Sequence, residues 1–282
     1  MNGISNITRE QYDRVTRVNW STLKLMGKSP AHYRERLEHP PGPDSDAMAQ
    51  GRVTHLAAFE PERLGDVAIW EEGARRGKQW EAFCADNRGR EIVTRATYDN
   101  ALAIGRAART NPMAARFLSG GKGEVTVQWT VKVPAVGALE GYEVDCKGRL
   151  DFVANCGALV DLKTTRDASP EAFGRQCFNL EYHAQCAFYA DGYEAATGQA
   201  LPFVVVAVET SAPYVVQVYE VPFEILELGR ERYRALLDTL NHCRTHSEWP
   251  GYATTPMQLT LPKWAVSNDD EDAADLGLVI NG

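Results

Sequence analysis

With 282 residues the chain can bury one large core or two modest ones, and 44% apolar with 24% charged residues is the composition of a soluble globular protein. No apolar run approaches the roughly 20 residues that span a bilayer, and the polar start lacks the apolar core of a signal peptide, so a cytoplasmic location is expected. A formal net charge of −8 argues against a general nucleic-acid coat, although Asp269, Asp270, Glu271, Asp272 and Asp275 concentrate much of it in one C-terminal run.

The N-terminal third reads as helical, with breaks at Pro30, at Pro40 to Pro43 and at Pro61. Ser21 is placed to cap a short helix through Lys28, and Ser29 followed by Pro30 is a helix-start signal. A third helix is predicted over Asp46–Phe59, carrying Gly51 and His55 one turn apart on the same face. Arg75, Arg76 and Lys78 form a basic cluster in a Gly-punctuated stretch, which suits a phosphate-contacting loop or a solvated patch. Further helices are expected over Lys78–Asn87 and Arg95–Asn111.

At Gly123 the period changes. Val125, Val127, Trp129, Val131 and Val133 alternate with Glu124, Thr126, Gln128, Thr130 and Lys132, which predicts a long strand with one apolar face. A strand near Tyr142–Cys146 is expected to run on into the segment around Asp151. Ser169 and Pro170 open a helical region that continues, with a break near Asn179, to Gly198. Strands over Phe203–Thr210 and Tyr214–Val221 follow, then a helix from Pro222 to His246. The economical architecture is a mixed α/β domain over residues 1–265, mostly helical to 120 and sheet-containing from 121 to 265. Residues 266–282 are expected to form a disordered acidic tail.

The most informative segment lies inside that sheet. Leu150, Phe152, Val160 and Leu162 alternate with Asp151, Asp161 and Lys163, the period-2 pattern of strands. If Asn155, Cys156 and Gly157 make a three-residue hairpin loop, Phe152 faces Val160, Leu150 faces Leu162 and Asp151 lies opposite Asp161. Two carboxylates so placed have Cβ atoms roughly 5 Å apart and repel unless a positive group sits between them. Lys163 shares their face. Hard oxygen ligands without paired His or Cys favour magnesium, with manganese as a substitute. The competing interpretation is an ordinary Asp–Lys pair on a solvated face. Six scattered cysteines, without a C-x-x-C pair or zinc-type spacing, fit free thiols in a reducing compartment.

These pieces together resemble a known family. STLKLMGKSPAHY from Ser21, GRVTHLAAFEP from Gly51, GEVTVQW from Gly123, GRLDFV with LVDLKTT, YHAQCAFYADGY from Tyr182, and a C-terminal EWPGY occur in an order similar to that of the PD-(D/E)XK nucleases. Within that superfamily the chain resembles the exonuclease VIII (RecE) type of phage and prophage exonuclease. The resemblance implies a restriction-endonuclease-like core, a mixed central sheet flanked by helices. It implies His55, Glu124, Asp151 and Asp161 as metal-site residues, Lys163 as the catalytic amine, and Gln185 and Tyr189 as substrate contacts. Asp161 stands where many superfamily members carry Glu, as is usual for the RecE type. Arg75, Arg76 and Lys78 are candidate DNA contacts.

The activity implied is a magnesium-dependent exonuclease that degrades linear duplex DNA from 5′ to 3′, in a bacterial cytoplasm, leaving 3′ single strands. A ring-shaped homo-oligomer acting on DNA ends and a single-strand annealing partner are implied as well. An endonuclease on the same scaffold, or a DNA-end-binding module without turnover, are the alternatives. For His55, Glu124, Gln185 and Tyr189 the residues alone leave core packing or solvent exposure open.

Overall fold

The computed structural model describes residues 2–40, 42, 45–135, 140–253 and 255–261; the expected acidic tail lies outside them. A short strand, Gly3–Ser5 (β1), precedes helices Arg9–Arg14 (α1), Trp20–Leu23 (α2), Pro30–Glu38 (α3) and Asp46–Phe59 (α4). Their starts follow from side chains that satisfy the first free N–H groups. Thr8 and Gln11 form a reciprocal box, and Asn19, Ser29 and Ser45 accept from residues three further on. The cap of α2 is Asn19 and not the expected Ser21, whose hydroxyl bonds Asn19 Oδ1; the helix then tightens into a 3-10 turn over Lys24–Gly27.

Strand Val67–Trp70 (β2), helix Lys78–Asp86 (α5), strand Glu91–Thr94 (β3), and helices Arg95–Thr110 (α6) and Pro112–Leu118 (α7) come next. β2 and β3 pair in parallel as a separate ribbon beside α4 and α6. The main sheet uses Gly121–Val133 (β4), Tyr142–Ala154 (β5), Ala158–Thr165 (β6), Phe203–Glu209 (β7) and Val216–Val221 (β8). Helices Pro170–Asn179 (α8) and Tyr182–Thr197 (α9) lie between β6 and β7, and Phe223–His246 (α10) follows β8. Strand order is β1-β4-β5-β6-β7-β8, antiparallel except for the parallel β6–β7 pair that the α8–α9 crossover connects. Among the described residues no helix is long and apolar enough to cross a membrane.

Both faces of this sheet are buried. Val205 and Ala207 of β7 join Phe188, Leu237 and Trp129 in a core beneath α9 and α10. Val204, Val206 and Val208, their alternates, join Ile104, Ala108 and Phe152 beneath α6. The β6 strand therefore packs against apolar side chains on both sides, which counts against the competing interpretation of a solvated face: Asp161 is 2% exposed.

The hairpin register is as expected where the turn dictates it, pairing Ala154 with Ala158, Val153 with Leu159 and Phe152 with Val160. There the ladder stops, and the expected Leu150–Leu162 and Asp151–Asp161 pairs do not form. The reason is a change of face in β5. Cys146 and Leu150 point to the α9 side, whereas Phe152 and Ala154 point to the α6 side. Across the β4–β5 ladder the register is intact on either side of the switch, Gly123 with Phe152 and Val125 with Leu150. The residue between them on β4, Glu124, has φ +54, a left-handed conformation that non-glycine side chains rarely adopt. Glu124 and Asp151 thus turn over at one level of the sheet without an inserted residue.

The close crossing of α9 and α10 gives a stability test. A Cβ at Gly229 would stand 2.3 Å from the His183 carbonyl oxygen and 2.8 Å from Ala187 Cβ, backbone and core atoms that cannot swing away. Gly229→Ala is expected to lower the urea midpoint, by about 1–3 kcal/mol of stability. An unchanged midpoint would contradict this packing.

Candidate active site

The strand switch at Asp151 opens a gap in the sheet that the Asp151 carboxylate enters. Its Oδ2 accepts the Leu162 backbone N–H at 3.0 Å, taking the place of a ladder carbonyl. One residue away on β6, Asp161 is buried, with no donor to its Oδ1 and only the Lys163 amine against its Oδ2. Lys163 Nζ lies 2.7 Å from Asp161 Oδ2 as an ion pair, with the side chains 14% and 3% exposed.

The amine is held from the other side by α9. Lys163 donates to Gln185 Oε1 at 2.8 Å, and the Gln185 amide reaches the Tyr189 hydroxyl at 3.4 Å, one helical turn on. The Tyr182 ring faces Nζ at 4.6 Å. Gly148 permits this arrangement, because a Cβ there would stand 3.0 Å from the Tyr189 ring. Burial alone would push the Lys163 pKa down, but the Asp161 and Asp151 carboxylates outweigh it and raise it, so the amine is an ammonium. Gln185 and Tyr189 therefore reach the cluster through Lys163.

His55 approaches from α4, oriented by Phe59, whose ring stacks on Phe152. Its Nε2 lies 3.6 Å from Asp151 Oδ2 and its Nδ1 4.0 Å from Glu124 Oε1, distances of charge proximity and not of hydrogen bonding. A Cβ at Gly51, one turn earlier, would meet nothing within 4 Å, so the helix is open beside His55. Glu124 is held by the Arg149 guanidinium. Arg149 and Tyr12 were not anticipated from the sequence. Arg149 bonds the Ile7 carbonyl at 3.4 Å and lies over the Tyr12 ring, as does Lys147, which ties the N-terminal segment to the site. A signal for Arg149 was present in its position two residues before Asp151 on a buried strand, but a lone Arg there carries no motif.

Among the described residues no three His, Cys, Asp or Glu side chains converge as a ready-made metal cage. Glu124 is turned to Arg149, and the Lys163 ammonium leans on Asp161. The donor set nevertheless fits a hard divalent cation. Asp161 presents two buried oxygens, of which Oδ2 is met by the Lys163 ammonium alone and Oδ1 by no donor, and a divalent cation would complete them. Burial pushes the Asp151 carboxyl up to about 7, with Asp161 raising it further and His55 and Lys163 lowering it, so that burial outweighs the nearby positive groups.

A pH dependence follows. Because the folded pKa of Asp151 exceeds its unfolded value, the protonated carboxyl stabilises the fold below the usual carboxylate range, and this contribution is lost as pH rises through about 7. Metal-free protein is expected to lose about 2–3 kcal/mol as pH rises from about 5 to 8, and Asp151→Asn to flatten that slope while keeping the Leu162 contact. Equal slopes in denaturant titrations of the two proteins would contradict the assignment.

The basic cluster does not join this group. The Arg75 guanidinium pairs with Asp46 at the start of α4 and lies 5.6 Å over Trp80. It anchors its own loop, and among the described residues no ion pair joins Arg76 or Lys78 to the carboxylates. The other sites form one cluster around the β4–β5–β6 switch.

Over residues 19–256 the chain matches the family described as "PDDEXK-like domain of unknown function (DUF3799)". It belongs to that family. The match spans the switch, both aspartates, Lys163 and α9. Among solved structures, a "Putative exonuclease" from Eubacterium rectale superimposes with a TM-score of 0.60 at 14% identity, covering 93% of this chain and 98% of that one. SSO0001, also 14% identical, covers 80% of this chain and 93% of its own at a TM-score of 0.30, which bears no argument. No curated protein matches the chain. The PDDEXK-like domain of this chain thus has the mixed α/β architecture of the PD-(D/E)XK nuclease superfamily, with D-x9-D-x-K written through β5 and β6.

Proposed function

We propose that this PDDEXK-like domain is a magnesium-dependent exodeoxyribonuclease that hydrolyses linear duplex DNA, from 5′ to 3′, leaving 3′ single strands for recombination by annealing. The observation that carries the reading is the buried Asp161 carboxylate, its Oδ1 without a donor and its Oδ2 against an ammonium fixed by Gln185, one residue from the Asp151–Leu162 contact. The name of the Eubacterium rectale neighbour supports the exonuclease form of the reading.

Asp151 and Asp161 would hold the cation, with Glu124 and His55 beside them. When bound, such an ion neutralises a phosphodiester and lowers the pKa of water. The chain's own residues do the remaining work. Lys163, a committed donor, orients the attacking water and stabilises negative charge developing on the phosphorus oxygens. Gln185 and Tyr189 fix the amine so that it does not have to be ordered during turnover. Arg149 holds one oxygen of Glu124 and leaves the other 4.0 Å from His55. A homo-oligomeric ring and an annealing partner belong to this reading as expectations from the resemblance. The six free thiols agree with a reducing compartment.

End-labelled linear duplex tests the proposal against covalently closed circular DNA. Magnesium-dependent release of nucleotides from linear DNA, stopped by chelator, with intact circles, is the expected result. Cutting of circles would make the enzyme an endonuclease. Binding of DNA ends without release under any divalent metal would leave only an end-binding module.

A further inference from the structure

We propose that the cleft beyond Lys163 is a binding site for a nucleoside monophosphate, so that the enzyme holds and is inhibited by the unit it releases. This rests on the nuclease reading and adds a subsite to it. A cavity of about 680 Å³ opens at the C-terminal end of β6, walled by Thr164 to Asp167, α8, Tyr182 and Thr210. It is an open depression whose size falls in the roughly 300–1,000 Å³ range of small-molecule sites. It shares the Tyr182 ring with the catalytic amine, which faces that ring at 4.6 Å.

The lining matches a phosphate with an attached base. Arg166 is exposed and has no ion-pair partner among the described residues. Arg175 pairs only with Glu171, with side chains 67% and 83% exposed, a contact weak enough to exchange for a ligand. Two planar guanidiniums suit a monoester phosphate, whose charge of about −1.5 to −2 exceeds that of a diester. Asp167 is the one acidic residue lining the cavity, and its carboxylate accepts the Ser169 backbone N–H at 2.8 Å. The Thr165 hydroxyl lies 2.8 Å from Gln176 Oε1, and Gln176 also lines the cavity. Leu180 and Tyr182 supply an apolar and aromatic surface for a base, without selecting its identity.

The frame is stiff. Arg232 clamps Glu181 at 2.5 Å where the chain turns from α8 into α9 in a left-handed conformation, φ 58. The backbone behind the cavity is thus fixed, while the exposed Arg166 and Arg175 side chains are free to close on a ligand. A nucleotide held there lies beside Lys163 and competes with the next stretch of strand.

Calorimetric titration in chelator tests the proposal with thymidine monophosphate, thymidine and inorganic phosphate as probes. The unmodified protein is expected to bind the monophosphate in preference to both fragments, and Arg166→Ala/Arg175→Ala to weaken it by about tenfold or more. In turnover, thymidine monophosphate is expected to inhibit competitively, and the double variant to escape inhibition with kcat retained. Failure of the unmodified protein to bind the monophosphate, or equal affinity in the variant, overturns the site. The two readings separate cleanly: binding in a protein that cuts no DNA supports the site and removes the nuclease, whereas cutting without binding removes the site alone.

Discussion

Lys163→Met is expected to lower the rate of DNA hydrolysis by about 10²–10³ while leaving metal binding in place. The ammonium is preset: its pKa is raised by Asp161 and Asp151, its position is fixed by Gln185, and its side chain is 14% exposed. A group so held stabilises charge in the transition state without reorganising. Methionine retains the stem that packs against Tyr182 and loses only the charge. Removing that charge leaves Asp161 more in need of a cation, so the rise in melting temperature on adding magnesium should be larger in the variant than in the parent protein. Single-turnover cleavage and thermal melting with and without magnesium check both halves. A kcat within a few-fold of the parent would remove Lys163 from the chemistry.

Asp161→Asn is expected to abolish detectable cleavage and to destabilise the fold by about 3–5 kcal/mol, because it leaves the Lys163 ammonium buried without its partner. The double variant Asp161→Asn/Lys163→Met removes both charges and should recover much of that stability while remaining inactive. The distinction matters because a buried pair contributes little net stability against an apolar replacement, whereas half a pair is costly. A double-mutant cycle read by urea unfolding therefore yields a coupling energy of several kcal/mol if the pair is as buried as its 14% and 3% exposures indicate. Additive effects of the two substitutions would mean that the groups do not share an environment.

Much of this arrangement was legible in the residues. The three-residue loop set the β5–β6 register, and the caps and prolines around Ser29, Ser169 and Gly198 bounded α3, α8 and α9 close to their observed limits. Local chemistry decided those features, and local chemistry is visible in sequence. The face switch was not visible. Period-2 reasoning assumes that a strand keeps its faces, and it assigned Leu150 and Phe152 to one side when they belong to two cores. That switch depends on Glu124 accepting a left-handed backbone under the hold of Arg149, a tertiary effect between strands 25 residues apart in sequence. It also explains why Asp151 reaches Leu162 instead of lying flat across from Asp161. The β2–β3 ribbon and β1 escaped for another reason: strands of 4 and 3 residues are too short to show a period.

His55, Gln185 and Tyr189 show the complementary case. On their helices each could have been ordinary packing, and only the fold brings them to Asp151 and Lys163. Arg75 shows the reverse, a cation that suggested a phosphate contact and turns out to anchor its loop through Asp46 and Trp80.

Manganese binding tests the central claim most directly, because the buried Asp161 oxygens and the raised Asp151 carboxyl are explained here by a shared cation. Isothermal titration of metal-free protein with manganese near neutral pH is predicted to show saturable binding with release of protons, diminished at lower pH and lost in Asp161→Asn. Binding of equal affinity in Asp161→Asn, or none in the unmodified protein, would contradict the account.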